Sequence, residues 1–188
     1  MFDEKLEKKI EELQVKFMGE RYRNASLASY EASPEIIKSI KQFLDKKKNF
    51  LVFCGNPGIG KTMLCACLVE WAMKFRSFRY WKEIELLRRI RSSMEHSTGD
   101  YQETLEFLID DSFIMLDDIG STGLNDWRKE IIFSAIEYRY KTTLPTLITS
   151  NLSRKDFEEQ FPARVADRLF AKENIIIEDY ETESFRKV

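Results

Sequence analysis

The sequence predicts an α/β fold: a mostly parallel sheet covered by helices on both faces. Three observations predict it. Short apolar runs alternate with segments of helical period from residue 50 to residue 178, the pattern that builds parallel sheets with crossover helices. Two of the apolar runs end in acidic or small polar residues, Asp117-Asp118 and Thr149-Ser150-Asn151, as expected at the carboxyl edge of such a sheet, where ligands gather. The chain of 188 residues is 43% hydrophobic and 33% charged. That is about one domain in length, enough to bury roughly 70% of the unfolded surface.

The elements follow in order. Leu6, Ile10, Leu13 and Phe17 recur at helical spacing over residues 2–18, with Gly19 as the stop. Such a stripe serves equally to pack on its own domain or to dock a partner. Residues 21–33 are rich in Ser, Asn and Ala and read as a linker. Ser33-Pro34-Glu35-Ile36 opens a capped helix running to about Leu44, with Pro at the first helical position. Residues 50–53 read as a buried strand, 61–75 as a helix and 78–81 as a short strand. Helices over 82–94 and 101–109 come next, then a strand over 112–116, a helix over 126–140 and a strand over 146–150. Ser153 and Asp156 form the ends of a capping box. Residues 163–171 close as a helix and 174–178 as a strand.

Composition narrows the function classes. Seven Gly and four Pro exclude collagen-like or low-complexity sequence. The longest apolar runs are far short of the ~20 residues that a membrane helix needs. Met1-Phe2-Asp3-Glu4-Lys5 does not resemble a secretory signal. Cys54, Cys65 and Cys67 show no CxxC spacing, and His96 is the single histidine. Disulfide scaffolding and structural zinc are disfavoured, and a reducing cytoplasm is the expected setting. A net charge of −2 supplies no global attraction to nucleic acid. One stretch differs: residues 74–91 hold seven basic residues against Glu83 and Glu85, with Tyr80 and Trp81 interleaved. Basic tracks with stacking faces grip single-stranded nucleic acid. Glu85 and Arg89 also have the spacing of an ordinary surface pair.

The strongest motif is Gly55-Asn56-Pro57-Gly58-Ile59-Gly60-Lys61-Thr62, a full match to G-x-x-x-x-G-K-[ST] between a predicted strand and a predicted helix. Its glycines let successive amides turn toward phosphate oxygens. Lys61 can reach the β- and γ-phosphates of a nucleoside triphosphate, and Thr62 can offer a hydroxyl to Mg²⁺. Asp117 is the expected second partner of Mg²⁺, through water, because this ion keeps much of its hydration shell. Asp118 would orient or deprotonate an attacking water. Asp110 and Asp111 precede the strand, at its wrong end. Asn151 could bond the water or the γ-phosphate. Arg164 and Arg168 lie four apart on one helix face, suited either to a neighbour's γ-phosphate as an arginine finger or to a surface pair with Asp167 or Glu173.

Taken together, these residues resemble AAA+ ATPases, and within them the DnaC/DnaI-type helicase loaders and the IstB-type transposition ATPases. The likeness runs from about Arg21 to the C-terminus. Tyr22-Arg23-Asn24-Ala25-Ser26-Leu27 resembles the family's opening segment. Gly55–Thr62 corresponds to Walker A, with Met63 where many members carry His. Leu116-Asp117-Asp118-Ile119-Gly120 corresponds to Walker B, Thr149-Ser150-Asn151 to sensor 1, and residues 163–169 to box VII. That alignment implies Arg168 as the likelier finger, Arg164 as the second choice, and Arg186 in Ser184-Phe185-Arg186 as a sensor 2-like nucleotide contact.

The resemblance further implies a P-loop αβα sandwich with sheet order 5-1-4-3-2, an AAA+ core without a full helical lid, ATP and Mg²⁺ as cofactors, and ATPase activity. It sets an ATPase domain over 21–188 apart from an N-terminal helix over residues 1–20. Loaders of the family carry a larger helicase-binding region before the opening segment, so either this helix docks the partner or the protein engages it differently. The implied partners are a hexameric replicative helicase, single-stranded DNA through Lys82, Arg88 and Arg91 within an insertion at 82–109, and a second copy through the finger. Two alternatives stand beside the loader: an ATPase serving a transposase, and an ATP-gated binding module with little turnover. Absence of an N-K-x-D motif disfavours a GTPase.

Overall fold

The structure is a computed structural model that describes residues 2–46, 50–96, 112–121 and 125–185. Among these, five parallel strands form one sheet: β1 (Phe50–Gly55), β2 (Phe78–Lys82), β3 (Phe113–Ile119), β4 (Thr146–Ser150) and β5 (Ile175–Asp179). Their spatial order is β2-β3-β4-β1-β5, the expected 5-1-4-3-2 read from the opposite edge. The expected second helix at 101–109, Asp110, Asp111 and Arg186 lie outside the described residues.

Alternation along the strands sorts the core into two layers. Phe50, Val52, Ile114, Leu116 and Ile148 face one cluster, with residues from α5 (Glu83–His96), α6 (Asp126–Lys141), α7 (Arg154–Gln160) and α8 (Ala163–Leu169). Leu51, Phe53, Phe113, Met115 and Leu147 face the other, beneath α1 (Phe2–Met18), α2 (Pro34–Lys46), α3 (Lys61–Cys67) and α4 (Val69–Ala72). Helices therefore cover both faces. Ile10, Leu13 and Phe17 bring α1 onto its own domain, whereas Leu6 stays exposed.

Local chemistry explains three of the boundaries. Gly19 ends α1 at φ 101°, a conformation that costs glycine little. Asn125 caps α6 by accepting from the Arg128 amide, and Ser153 with Asp156 completes the capping box of α7.

Three expectations shift. The helix expected over 61–75 divides at Leu68, whose amide is shared between the carbonyls of Leu64 and Cys65, a tightening toward 3₁₀ geometry. The segment expected as a linker begins with a 3₁₀ turn at Glu20–Tyr22 and buries Tyr30 against the domain. Strand β3 does not stop at Leu116 but runs through both acids to Ile119. The register jumps there, from Leu116 opposite Ile148 to Ile119 opposite Ser150. One extra residue is thus inserted in β3, and Asp118 takes φ 63°.

Candidate active site

The carboxyl ends of β1, β3 and β4 open into a cavity of ≈ 400 Å³. Its lining joins Pro57, Gly58, Gly60, Lys61, Thr62 and Met63 to Asp117, Asp118, Thr149 and Asn151. These residues are far apart in the chain, and parallel strand pairing brings them to one edge.

The phosphate loop is tied down from two sides. The Asn56 amide donates to Asp179 O at 3.2 Å and its side-chain Nδ2 to Tyr180 O at 2.8 Å. Tyr30 lays its ring against Gly60, where an added Cβ would come within 3.4 Å of it. At Gly58, φ is 92° and a Cβ would stand 1.9 Å from Ser184 Oγ, so only glycine fits. Gly55 sits close to β5, and the buried Ile59 anchors the loop in the core. The Lys61 ammonium, 7% exposed, donates to the carbonyls of Gly55 and Asn56 at 2.7 Å each.

The two acids differ by design of the strand. Asp117 continues the face of Phe113 and Met115, so it points at α3. It is 1% exposed and accepts hydrogen bonds from three hydroxyls: Thr62 at 2.9 Å, Tyr80 at 2.6 Å and Thr149 at 2.5 Å. In an unbroken strand, Asp118 would turn to the opposite face, toward α5 and α6. The bulge and the left-handed backbone at Asp118 instead keep it on the cavity, where Asn151 Nδ2 donates to its Oδ1 at 2.8 Å. Its amide is held by Thr149 Oγ1 at 2.9 Å. Thr62 and Asp117 offer a hydroxyl and a carboxylate within one hydrogen-bond length. Hard oxygen donors of this kind fit Mg²⁺.

Glu83, at the first position of α5, is 1% exposed and accepts from the Gly120 amide at 2.7 Å. Burial pushes its carboxyl above the ordinary range, against the Gly120 amide and the Arg128 charge. Burial also pushes the Cys54 and Cys67 thiols up to about 12. The Cys65 thiol rises too, by burial and by the charge of Asp117, so all three are packing groups rather than nucleophiles.

Neither box VII arginine lines the cavity. Arg164 lies 4.4 Å from the centroid of Phe133. Arg168 Nε donates to Glu137 at 2.9 Å rather than pairing with Asp167 or Glu173, because α8 packs across α6. Glu173 accepts from the Tyr140 hydroxyl instead. Of the residues expected to meet DNA, Lys82 lines the cavity, and Arg88 and Arg91 are exposed on α5, Arg91 lying 5.3 Å from the Trp127 ring centroid.

The sequence profile of the IstB-like ATP binding protein family matches residues 18–187. The chain belongs to this family. Among the relatives of this IstB-like protein is the replicative helicase loader DnaI of Bacillus subtilis (strain 168), 31% identical over 137 residues, which cover 72% of the chain and 43% of DnaI. Another is the ATP-binding protein of insertion sequence IS232 from Bacillus thuringiensis subsp. berliner, 28% identical over 130 residues, 64% of the chain and 47% of that protein. The chain thus spans less than half the length of these two relatives. The crystal structure of the DnaC helicase loader superposes with a TM-score of 0.68 at 26% identity, covering 84% of the chain and 99% of that structure. The architecture is accordingly that of an AAA+ core. No described helix is long and apolar enough to cross a membrane.

Sequence reasoning missed Tyr30, Tyr80 and Glu83 as neighbours of the site. Tyr80 carried a faint signal: it alternates with Phe78 on a predicted strand. Glu83 carried none, since an acid at a helix start is ordinary.

Proposed function

We propose that this IstB-like protein binds ATP with Mg²⁺ in the cavity, hydrolyses it, and acts as a helicase loader on a hexameric replicative helicase. The observation that carries the reading is the meeting of Lys61, Thr62, Asp117, Asp118 and Asn151 at one sheet edge. Lys61 leaves the loop carbonyls to hold the β- and γ-phosphates. Thr62 and Asp117 hold the cation, which neutralises charge building on the phosphates. Asp118 takes the proton of the attacking water, and Asn151 fixes the carboxylate that does so. Met63 and the loop from Gly55 to Gly60 enclose the phosphates, with Arg186 as a further contact.

Arg168, with Arg164 as second choice, completes the site of a neighbouring copy. Lys82, Arg88 and Arg91 meet single-stranded DNA, and the outward face of helix α1, which leaves Leu6 exposed, serves as the docking element. Likeness to DnaI and DnaC supports the helicase as client. The match to the IstB-like family favours a second reading, an ATPase that assists a transposase.

Co-elution of the purified protein with its cognate hexameric helicase, in ATP and Mg²⁺, tests the first reading. A stable complex is expected. ATPase activity without a complex transfers the weight to the transposase partner. Replacing Arg88 and Arg91 together by Ala is expected to weaken single-strand binding and flatten its salt dependence. Unchanged binding removes the DNA contact from the proposal.

A further inference from the structure

We infer that Tyr80 is a positioning residue for Asp117, held in place by Phe17 of α1, and that this pair sets the affinity of the site for its divalent cation. The inference rests on the reading of Thr62 and Asp117 as the cation-holding pair. Tyr80 lies on the edge strand β2, opposite Met115, and is 4% exposed. Its hydroxyl donates at 2.6 Å to Oδ2 of Asp117, the same oxygen that accepts from Thr62 at 2.9 Å. The other oxygen, Oδ1, accepts from Thr149. With both oxygens pinned, the carboxylate cannot rotate, and Oδ2 presents a fixed direction to an incoming ion. Hydrogen-bond partners behind a metal ligand act in this way, and their loss typically weakens metal affinity by about 10–100-fold.

The Tyr80 ring is itself positioned from outside the sheet. Phe17 stands 6.1 Å from it, tilted by 32°, and meets Phe78 edge-on at 5.9 Å. A few residues earlier, the fully buried Gln14 donates to Ala66 O at 3.1 Å and to Ala25 O at 2.7 Å. Ala66 lies on α3, the helix that begins with Lys61 and Thr62. Helix α1 therefore touches both halves of the pair, Asp117 through Tyr80 and Thr62 through α3. A change in the seating of α1 reaches the cation site by two short routes through packed groups.

The test titrates Mg²⁺ against binding of a fluorescent ADP analogue to the full chain, with Mg²⁺-free affinity and melting temperature measured beside it. Tyr80→Phe keeps the ring and removes only the hydroxyl. It is expected to raise the half-saturating Mg²⁺ concentration by about 10-fold while leaving Mg²⁺-free binding unchanged. Phe17→Leu is expected to shift the same curve in the same direction by less. A wild-type Mg²⁺ curve for Tyr80→Phe, or an equal loss of Mg²⁺-free binding, overturns the role of Tyr80. A wild-type curve for Phe17→Leu overturns the part played by α1. Asp117→Asn is the reference: if it leaves the curve unmoved, the cation reading beneath the inference fails instead.

Discussion

The carboxyl edge of the sheet and helix α8 each carry charged residues that match the family pattern, and they hold them in different ways. At the edge, Lys61, Asp117 and Asp118 are each held by hydrogen bonds, the two acids from other elements. Lys61 is gripped by its own loop, Asp117 by hydroxyls from α3, β2 and β4, and Asp118 by Asn151 after β4. On α8, Arg164 and Arg168 rest on Phe133, Glu137 and Tyr140, all on the single neighbouring helix α6. A sheet edge gathers distant residues to within hydrogen-bond reach. A surface helix offers only its own face and that of the element it packs on. The first arrangement fixes geometry from several directions at once, whereas the second ties its charges to a single neighbouring helix face.

The comparison is broken most directly at Lys61. Lys61→Ala is expected to abolish nucleotide binding or turnover. Equilibrium binding of labelled ATP decides it, and wild-type ATPase activity in this variant would contradict the whole site assignment.

Asp118→Asn separates the two acids. Asn accepts the left-handed backbone that Asp118 occupies, so binding should persist while hydrolysis falls by about 10²–10⁴-fold. Single-turnover phosphate release measures this, and near-normal hydrolysis would transfer the proton-accepting role to another group.

Glu83→Gln probes the support behind the edge. Its folded carboxyl is raised above its unfolded value, so its contribution is complete below the ordinary carboxylate range and is lost as pH rises through the folded value. The stability difference between the two proteins should therefore move in favour of the Gln variant as pH rises from acid to neutral. At pH 7 the variant is expected to melt higher than the wild type, and at pH 4 the gap should narrow. Thermal melts over pH 4–8 check the sign.

The smallest effect belongs to α8. Arg168→Ala breaks a pair whose side chains are 32% and 18% exposed, and should cost less than about 1 kcal/mol. Urea denaturation measures it, and a larger loss would place Arg168 in the fold rather than on its surface.

Much of the fold was legible in the sequence, because alternation of apolar strands and helices is local. Strand β4 matches its expected limits, and α6 is off by one residue. The boundaries that moved did so for non-local reasons. Leu68 divides a helix whose residues look uniformly helical, and β3 outruns its apolar run because the neighbouring strands keep pairing with it. The phosphate loop was legible because glycine, lysine and threonine at fixed spacing leave few alternatives.

The sequence by itself determined the parallel α/β architecture, the phosphate loop and the acids after an apolar run, since each depends on residues adjacent in the chain. Only the tertiary structure decided that both acids face one cavity. Strand alternation places neighbours on opposite faces, and it took the register shift against β4 to reverse that for Asp118. Tertiary packing also chose Glu137 for Arg168 and brought the Tyr80 hydroxyl to Asp117. Such partners meet across 31 and 37 positions of chain, at distances set by helix packing and strand pairing rather than by any local preference.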